Sequence, residues 1–455
     1  MTDLKSPPGA TGPLASSPAS AQAGPGKRAW WVLGVLTFVY VLNFLDRQLL
    51  SILAAPIQNE LGLSDGQLGL ISGLYFALFY CLIALPVGWL ADKTNRVRVV
   101  GFACMLWSAA TVACGLARNY PQLVVARMTV GIGEAGGVPP SYAIISDYFP
   151  SGMRGRALGL YNMGPPIGAA LGVAFGASVA AAFSWRDAFI SIGIVGVVTG
   201  LIVLFFVREP KRGAMDVVSA PEDSTVPAAD PAVPVPVEGF FSTFRMFFAH
   251  KALRLIALAS GATQFVTYAV INFTVLFLMR EKGMTLTDVA LWYALLLGFG
   301  VSGGMYLSGR LIDWLGKKSK TAYALVPAAG LIISLPFFIA FVWAPTWPMA
   351  MAFLTVPTIC NYFYLSPAVA LVQEEVKPSQ RVLSGAILLL VMNLVGLGLG
   401  PTYLGAASDF FAAGNPENSL QLAMYTLIPF YCLAIALFFW LASVIPREQK
   451  SGGRS

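Results

Sequence analysis

Apolar residues in this chain run in long blocks, each of roughly 20 residues, broken by short polar loops. A helix rises about 1.5 Å per residue, so roughly 20 apolar residues cross the hydrocarbon core of a bilayer, about 30 Å thick. The pattern predicts twelve crossing helices, at 30–53, 68–91, 99–116, 123–145, 157–182 and 188–207, and then at 253–279, 289–312, 323–343, 348–372, 382–407 and 420–444. Two polar segments flank and divide them. Residues 1–28 are rich in Pro, Ala, Ser and Gly without the apolar core of a signal peptide, and read as a disordered cytoplasmic tail. Residues 208–250, with an aperiodic Pro, Ala and Val run around 227–237, read as a flexible cytoplasmic linker. The expected organisation is a six-helix bundle at 29–207, a second at 251–446, and a short cytoplasmic tail at 447–455.

Composition makes lipid the solvent. Of 455 residues, 57% are hydrophobic and 11% charged, too apolar for a soluble core to hide. The formal charge of +7 does not point to nucleic acid, because the basic residues sit in alternate loops. Roughly 23 of the 29 Lys and Arg residues fall on one face, which the positive-inside rule makes cytoplasmic. Both termini and the linker then lie inside, in a multi-pass protein of the inner membrane. Cys81, Cys104, Cys114, Cys360 and Cys432 fall within predicted spans without metal-ligand spacing, so neither a disulfide framework nor a metal site is expected.

The halves repeat. Gly88-Trp-Leu-Ala-Asp92-Lys93-Thr-Asn95-Arg96 follows the second span, and Gly309-Arg-Leu-Ile-Asp313-Trp-Leu-Gly316-Lys317 follows the eighth. Gly88 reads as a site of close helix approach, and Asp92 as a partner for a cation or a helix N-terminus. A second echo sets Asp147, Pro150, Arg154 and Arg156 after the fourth span against Glu374, Glu375, Pro378 and Arg381 after the tenth. Isolated basic residues at such places are ordinary positive-inside anchors; the duplicated Gly and Asp carry the signal. Opposite charges thus gather at one face: Asp92, Arg96, Asp147, Arg154 and Arg156 in one half, and Asp313, Lys317, Glu374, Glu375 and Arg381 in the other. They form a candidate cytoplasmic gate.

Ions inside the spans are rarer and costlier, at least about 2.5 to 3.5 kcal/mol each at the bilayer centre. Asn43, Asp46 and Arg47 stand at i, i+3 and i+4, on one face of the first helix, and their partners are expected on other helices. In the fourth span, Arg127 and Glu134 lie two turns apart on one face, among Gly131, Gly133, Gly136 and Gly137, which suit tight helix packing. Glu134 has no base in its own helix and needs a proton or Arg47. Such a carboxyl suits proton coupling, since burial favours its neutral form and an approaching cation its charged one. The plain alternative is a structural ion-pair cluster joining the first and fourth helices. In the second half, Gln264, Tyr268, Asn272, Asn361, Tyr362 and Asn393 are neutral candidates for substrate contact or for hydrogen bonds between helices.

The duplicated Gly-xxx-Asp-[Arg/Lys] loop resembles the signature of the major facilitator superfamily. The phrases Asn43-Phe-Leu-Asp46-Arg47, Val130-Gly-Ile-Gly-Glu134-Ala and Asp147-Tyr-Phe-Pro with Arg154-Gly-Arg-Ala-Leu-Gly159 resemble its spinster branch. That resemblance implies an all-α membrane protein of the major facilitator fold, with twelve transmembrane helices in two pseudo-two-fold six-helix bundles rocking about a central cavity. It implies lysophospholipid- or sphingoid-phosphate-like substrates, Asp46 and Glu134 as coupling carboxylates, and Arg47 as the cation near substrate. Asn43, Arg127, Gln264, Tyr268, Asn272, Asn361, Tyr362 and Asn393 complete the expected substrate-binding set. Expected partners are the amphiphile and membrane lipids, with no nucleic acid, in a monomer; no cofactor is expected beyond the coupling proton. A carrier of small organic anions or drugs, and an uncoupled lipid facilitator, stay open. The chain contains no Ser-His-Asp set and no phosphate-binding Gly-Lys-[Ser/Thr] loop, so an enzyme or an ATP-driven pump is not expected. His250, the single histidine, reads as a boundary residue before the seventh helix.

Overall fold

The computed structural model describes residues 26–213, 215, 240–377 and 380–452, and every regular element among them is helical. Most of the expected N-terminal tail, the Pro-rich centre of the linker, Pro378 and the last three residues lie outside the described residues. Among the described residues, eleven helices are long and apolar enough to cross a membrane: Lys27–Ile52, Asp65–Lys93, Arg96–Leu116, Gly152–Ala182, Trp185–Phe206, Lys251–Arg280, Leu286–Leu315, Ala322–Trp343, Trp347–Glu375, Leu383–Ala412 and Pro416–Pro446. The remaining expected crossing, the fourth, comes in two pieces, Tyr120–Glu134 and Val138–Tyr148. Gly136 and Gly137 favour a break there, and Pro139 and Pro140 cannot donate to the preceding turn but are well placed at a new helix start.

Several helices begin earlier than hydropathy alone suggests, because capping chemistry extends them. Asn95 accepts a hydrogen bond from the Arg98 amide, so the third helix starts at Arg96 rather than at Val99. Ser64 and Gln67 form a reciprocal capping box that starts the second span at Asp65. Large side chains facing outward, such as Phe183, Phe205, Phe299 and Phe410, are more than 75% exposed in the isolated chain, as a lipid-facing surface requires.

The linker reading needs correction at both ends. After the sixth span, Glu209 receives Arg96 Nε at 2.7 Å and the Val97 amide at 2.9 Å, while Arg212 donates to the carbonyls of Ala91, Asp92 and Thr94. An acid thus meets the N-terminus of the third helix and a base the C-terminus of the second, satisfying backbone groups that helix ends leave open. The other end of the segment is the helix Phe240–Ala249. The first of these contacts straps the segment across the basic-loop ends of the N-terminal bundle.

The two halves meet closely at the end opposite the basic loops. There a Cβ on Gly69 would collide with the Pro401 carbonyl, and one on Gly405 with the Asp65 carbonyl, so the second and eleventh spans touch backbone to backbone. By contrast, a Cβ on Gly88 or Gly309 would meet open space. The expectation of close approach at Gly88 therefore does not hold in this conformation, because no neighbouring helix lies within contact distance of that position.

Candidate substrate and coupling site

The first span brings its polar face against the third and fourth. Gly133 allows this: a Cβ there would lie 2.6 Å from the Trp107 amide nitrogen, so only glycine lets the third and fourth helices come so near. Arg47 Nε then reaches Glu134 Oε2 at 2.6 Å. The Glu134 side chain is fully buried, whereas 13% of the Arg47 side chain remains accessible, so the cation is the member of the pair that an incoming group can touch. Its guanidinium also lies 5.0 Å from the ring centroids of Phe44, Phe76 and Tyr80, an aromatic collar that favours a cation without neutralising it.

A second, deeper tier lies behind this pair. Asp46 Oδ2 accepts a hydrogen bond from Thr111 Oγ1 at 2.7 Å, and Asp46 Oδ1 is 3.9 Å from Arg127 Nη1. Asn43, Asp46, Arg127 and Glu134 are all buried. Arg127 stands 5.4 Å from the same Phe76 ring that Arg47 approaches, so the ring serves two cations. Among the described residues, Asn43 Oδ1, Asp46 Oδ1, Glu134 Oε1 and Arg127 Nε find no hydrogen-bond partner.

From the second half, Tyr268 comes within electrostatic reach of Arg47 and Glu134. Gln264 donates to Asn393 at 3.3 Å, and Asn272 donates to the Tyr268 carbonyl at 2.9 Å. Ser51 joins the halves by donating to the carbonyls of Ile271 and Asn272. Asn361 sits elsewhere, within the C-terminal bundle: it accepts from Ser334 at 2.7 Å and donates to Tyr431 at 2.9 Å. Tyr362 and Asn361 line a cavity of about 20 Å³ with Thr267, Thr274 and Tyr293, room for a single water.

Of the proposed gate charges, Arg96, Asp147, Arg154, Arg156, Glu374, Glu375 and Arg381 find contacts within their own halves, whereas Asp92, Asp313 and Lys317 are exposed. Arg96 pairs with Asp147 at 2.7 Å, Arg154 donates to the Ser146 and Phe149 carbonyls, and Arg156 lies 5.8 Å from the Trp30 ring. On the other side Lys320 pairs with Glu375 at 3.2 Å, Tyr323 donates to Glu374, and Arg381 donates to the Gln373 carbonyl. Among the described residues, no ion pair at this face crosses from Asp92, Arg96, Asp147, Arg154 or Arg156 to Asp313, Lys317, Glu374, Glu375 or Arg381.

A cross-half ion pair lies at the opposite face, and sequence reasoning missed it. Asp65 accepts both terminal nitrogens of Arg280 at 2.8 Å, and also Gln58 Nε2 and Ser408 Oγ, each at 2.6 Å. Asp409 of the eleventh span accepts from the Asp65 and Gly66 amides at 3.0 and 2.9 Å, capping the second span from the other half. The predicted spans end just short of Asp65 and Arg280, which made both look like loop charges. Their position at matched ends of the second and seventh spans was the available signal.

A sequence profile of the Major Facilitator Superfamily matches residues 36–341. The chain belongs to the major facilitator superfamily. Its members are transporters rather than enzymes, and the protein is accordingly a multi-pass membrane transporter. The chain is similar to the crystal structure of a bacterial homologue of the human lysosomal transporter spinster in an inward-facing, unoccupied conformation. The identity is 30%, covering 92% of this chain and 98% of that one, with a TM-score of 0.81. An MFS-type efflux pump of Mycolicibacterium smegmatis is 30% identical over 93% of this chain and 94% of its own length. A probable L-galactonate transporter of Escherichia coli is 27% identical over 72% of each. The likeness to an inward-facing structure agrees with a seam closed at the Asp65–Arg280 end.

Proposed function

We propose that this transporter carries amphiphiles with a phosphate headgroup, lysophospholipid- or sphingoid-phosphate-like, across the inner membrane by proton-coupled alternating access. The observation that carries the reading is the Arg47–Glu134 pair, in which only the cation is accessible. A phosphate arriving at Arg47 competes with Glu134 for the same guanidinium. If it wins, Glu134 is left as a buried carboxylate without its nearest counter-charge, an arrangement that costs several kcal/mol unless a proton neutralises it.

Charge counting leads the same way. Asp46, Arg47, Arg127 and Glu134 sum to zero, so one added negative charge is balanced by one proton on Glu134 or Asp46. The aromatic collar of Phe44, Phe76 and Tyr80 gives the apolar part of an amphiphile a surface next to the headgroup site. Closure at Asp65–Arg280, with no cross-half ion pair at the opposite face among the described residues, supports reading this conformation as the inward-open half of the cycle, with the cytoplasmic charges as the candidate gate of the other half.

A small organic anion is the second reading. Arg47 would hold a carboxylate as well as a phosphate, and the sugar-acid carrier among the relatives gives that reading its support. Binding of lysophospholipids, sphingoid phosphates and small carboxylates to purified protein separates the two, repeated with Arg47→Ala. Lipid binding that Arg47→Ala weakens at least tenfold supports the proposal. Binding of carboxylates alone, or lipid binding indifferent to Arg47, refutes it.

A further inference from the structure

The buried cluster contains a group that cannot ionise and that the coupling scheme leaves without a role, the Thr111 hydroxyl. It lies 2.7 Å from Asp46 Oδ2 and 2.9 Å from the Trp107 carbonyl, in a residue that is 1% exposed. A threonine hydroxyl has one hydrogen and two lone pairs. While Asp46 is ionised, both neighbours are acceptors, and the single hydrogen can serve only one. It serves Asp46, because a hydrogen bond to a carboxylate is roughly twice as strong as one to a neutral carbonyl.

When a proton binds at Asp46 Oδ2, the same three oxygens need no displacement. The new carboxyl O–H donates to Thr111 Oγ1, and the threonine hydrogen swings to the Trp107 carbonyl, four residues back in its own helix, a bond that threonines in helices commonly make. One proton has been gained, none has left Thr111, and every hydrogen in the chain has an acceptor. An apolar side chain at 111 would leave Asp46 Oδ2 without a donor in the ionised state and without an acceptor in the neutral one.

We propose that Thr111 is a positioning residue that lets buried Asp46 hold either protonation state by turning its single hydrogen from Asp46 to the Trp107 carbonyl, and so sets the pH at which the carrier loads its proton. The inference rests on the proton-coupling reading above. The charged and titratable groups facing Asp46 are Arg127 and Glu134 from the fourth span, Arg47 beside it on the first, and Cys114 from the third. None of these makes a hydrogen bond to Asp46 Oδ2, so among the described residues Thr111 alone completes that oxygen.

The test is the pH profile of proton-driven flux in liposomes for wild type, Thr111→Val and Thr111→Ser. Valine keeps the shape and removes the hydroxyl: the buried carboxylate loses the donor to its Oδ2, a larger loss for a charged group than that of one ordinary acceptor for the neutral acid, while the Trp107 carbonyl keeps its helical amide partner. The pH midpoint of flux should therefore move to the alkaline side by roughly one unit. Serine, which retains the hydroxyl, should restore it. Should Thr111→Val fail to fold, Thr111→Ala takes its place. Infrared difference spectra of detergent-solubilised protein give a second readout: the protonated-carboxyl band that Asp46→Asn abolishes should titrate at a higher pH and at a higher frequency without the hydroxyl. An unchanged midpoint together with an unchanged band overturns the role of Thr111. Wild-type flux indifferent to a pH gradient overturns the coupling reading itself, and this inference with it.

Discussion

Replacing Arg280 by Ala should open the end of the molecule that the structure shows closed. Arg280 donates both terminal nitrogens to Asp65, one to each oxygen at 2.8 Å, and one of them also to Gln58 Oε1 at 2.7 Å. The Asp65 side chain is 6% exposed and that of Arg280 33%. Removing one member of a buried pair costs about 3 to 5 kcal/mol. Here two neutral donors, Gln58 and Ser408, stay on the carboxylate and the arginine is partly wetted, so about 2 to 3 kcal/mol is the reasoned loss. At 1.4 kcal/mol per tenfold, the ratio of molecules closed at this face to molecules open there falls roughly 30- to 140-fold. Ser72, which shares a small space with Leu50, Ser51 and Asn272 between the halves, provides the reporter. With the native cysteines replaced, Ser72→Cys should react with a membrane-impermeant maleimide added at the Asp65–Arg280 face far faster in Arg280→Ala than in the parent. A folded variant that labels at the parent rate would refute the latch.

Three further outcomes follow from the same contacts. Gly69→Ala drives a Cβ into the Pro401 carbonyl, a backbone atom that cannot swing aside, so it should raise labelling at Ser72→Cys as Arg280→Ala does, whereas Gly88→Ala, facing open space, should not. Asn361→Leu leaves Ser334 and Tyr431 buried without their shared partner; it should lower thermal stability by about 1 to 3 kcal/mol while leaving lipid affinity within twofold, measured by melting and by binding. Arg96→Ala strands Asp147 and Glu209 together, and limited proteolysis should then cut near residue 210 much faster than in wild type; an unchanged cleavage rate would show that the strap is held by Arg212 and the Val97 amide alone.

The spans and their two-fold repeat were legible because lipid imposes one length and one composition on a crossing helix. The ion cluster was legible for a related reason: charge inside such a helix needs a partner, and the i, i+3 and i+4 spacing of Asn43, Asp46 and Arg47 gave the face on which to seek it. The pairing of Arg47 with Glu134 was one of the two options that the sequence left for that carboxyl. What escaped depends on registers between helices. Thr111 is an ordinary threonine until the third span is placed beside the first. Asp65, Arg280 and Asp409 resemble loop charges until the halves are docked, and nothing local distinguishes them from Asp92 or Asp313. The gate charges were grouped by face, but a face is only half of an address, because the conformation decides whether opposite halves meet there. Glu209 and Arg212 fell inside a segment read as linker, where helix ends supply partners that periodicity cannot reveal.

Proton movement recorded during lipid transport tests the central claim most directly. Purified protein in liposomes enclosing a pH-sensitive dye is given a gradient of a lysophospholipid or sphingoid phosphate. The charge balance around Arg47 and Glu134 predicts a proton flux that rises with the lipid flux, one proton for each added negative charge, and that is abolished in Glu134→Gln. Lipid flux without proton flux in the wild-type protein, or an undiminished proton flux in Glu134→Gln, would contradict it.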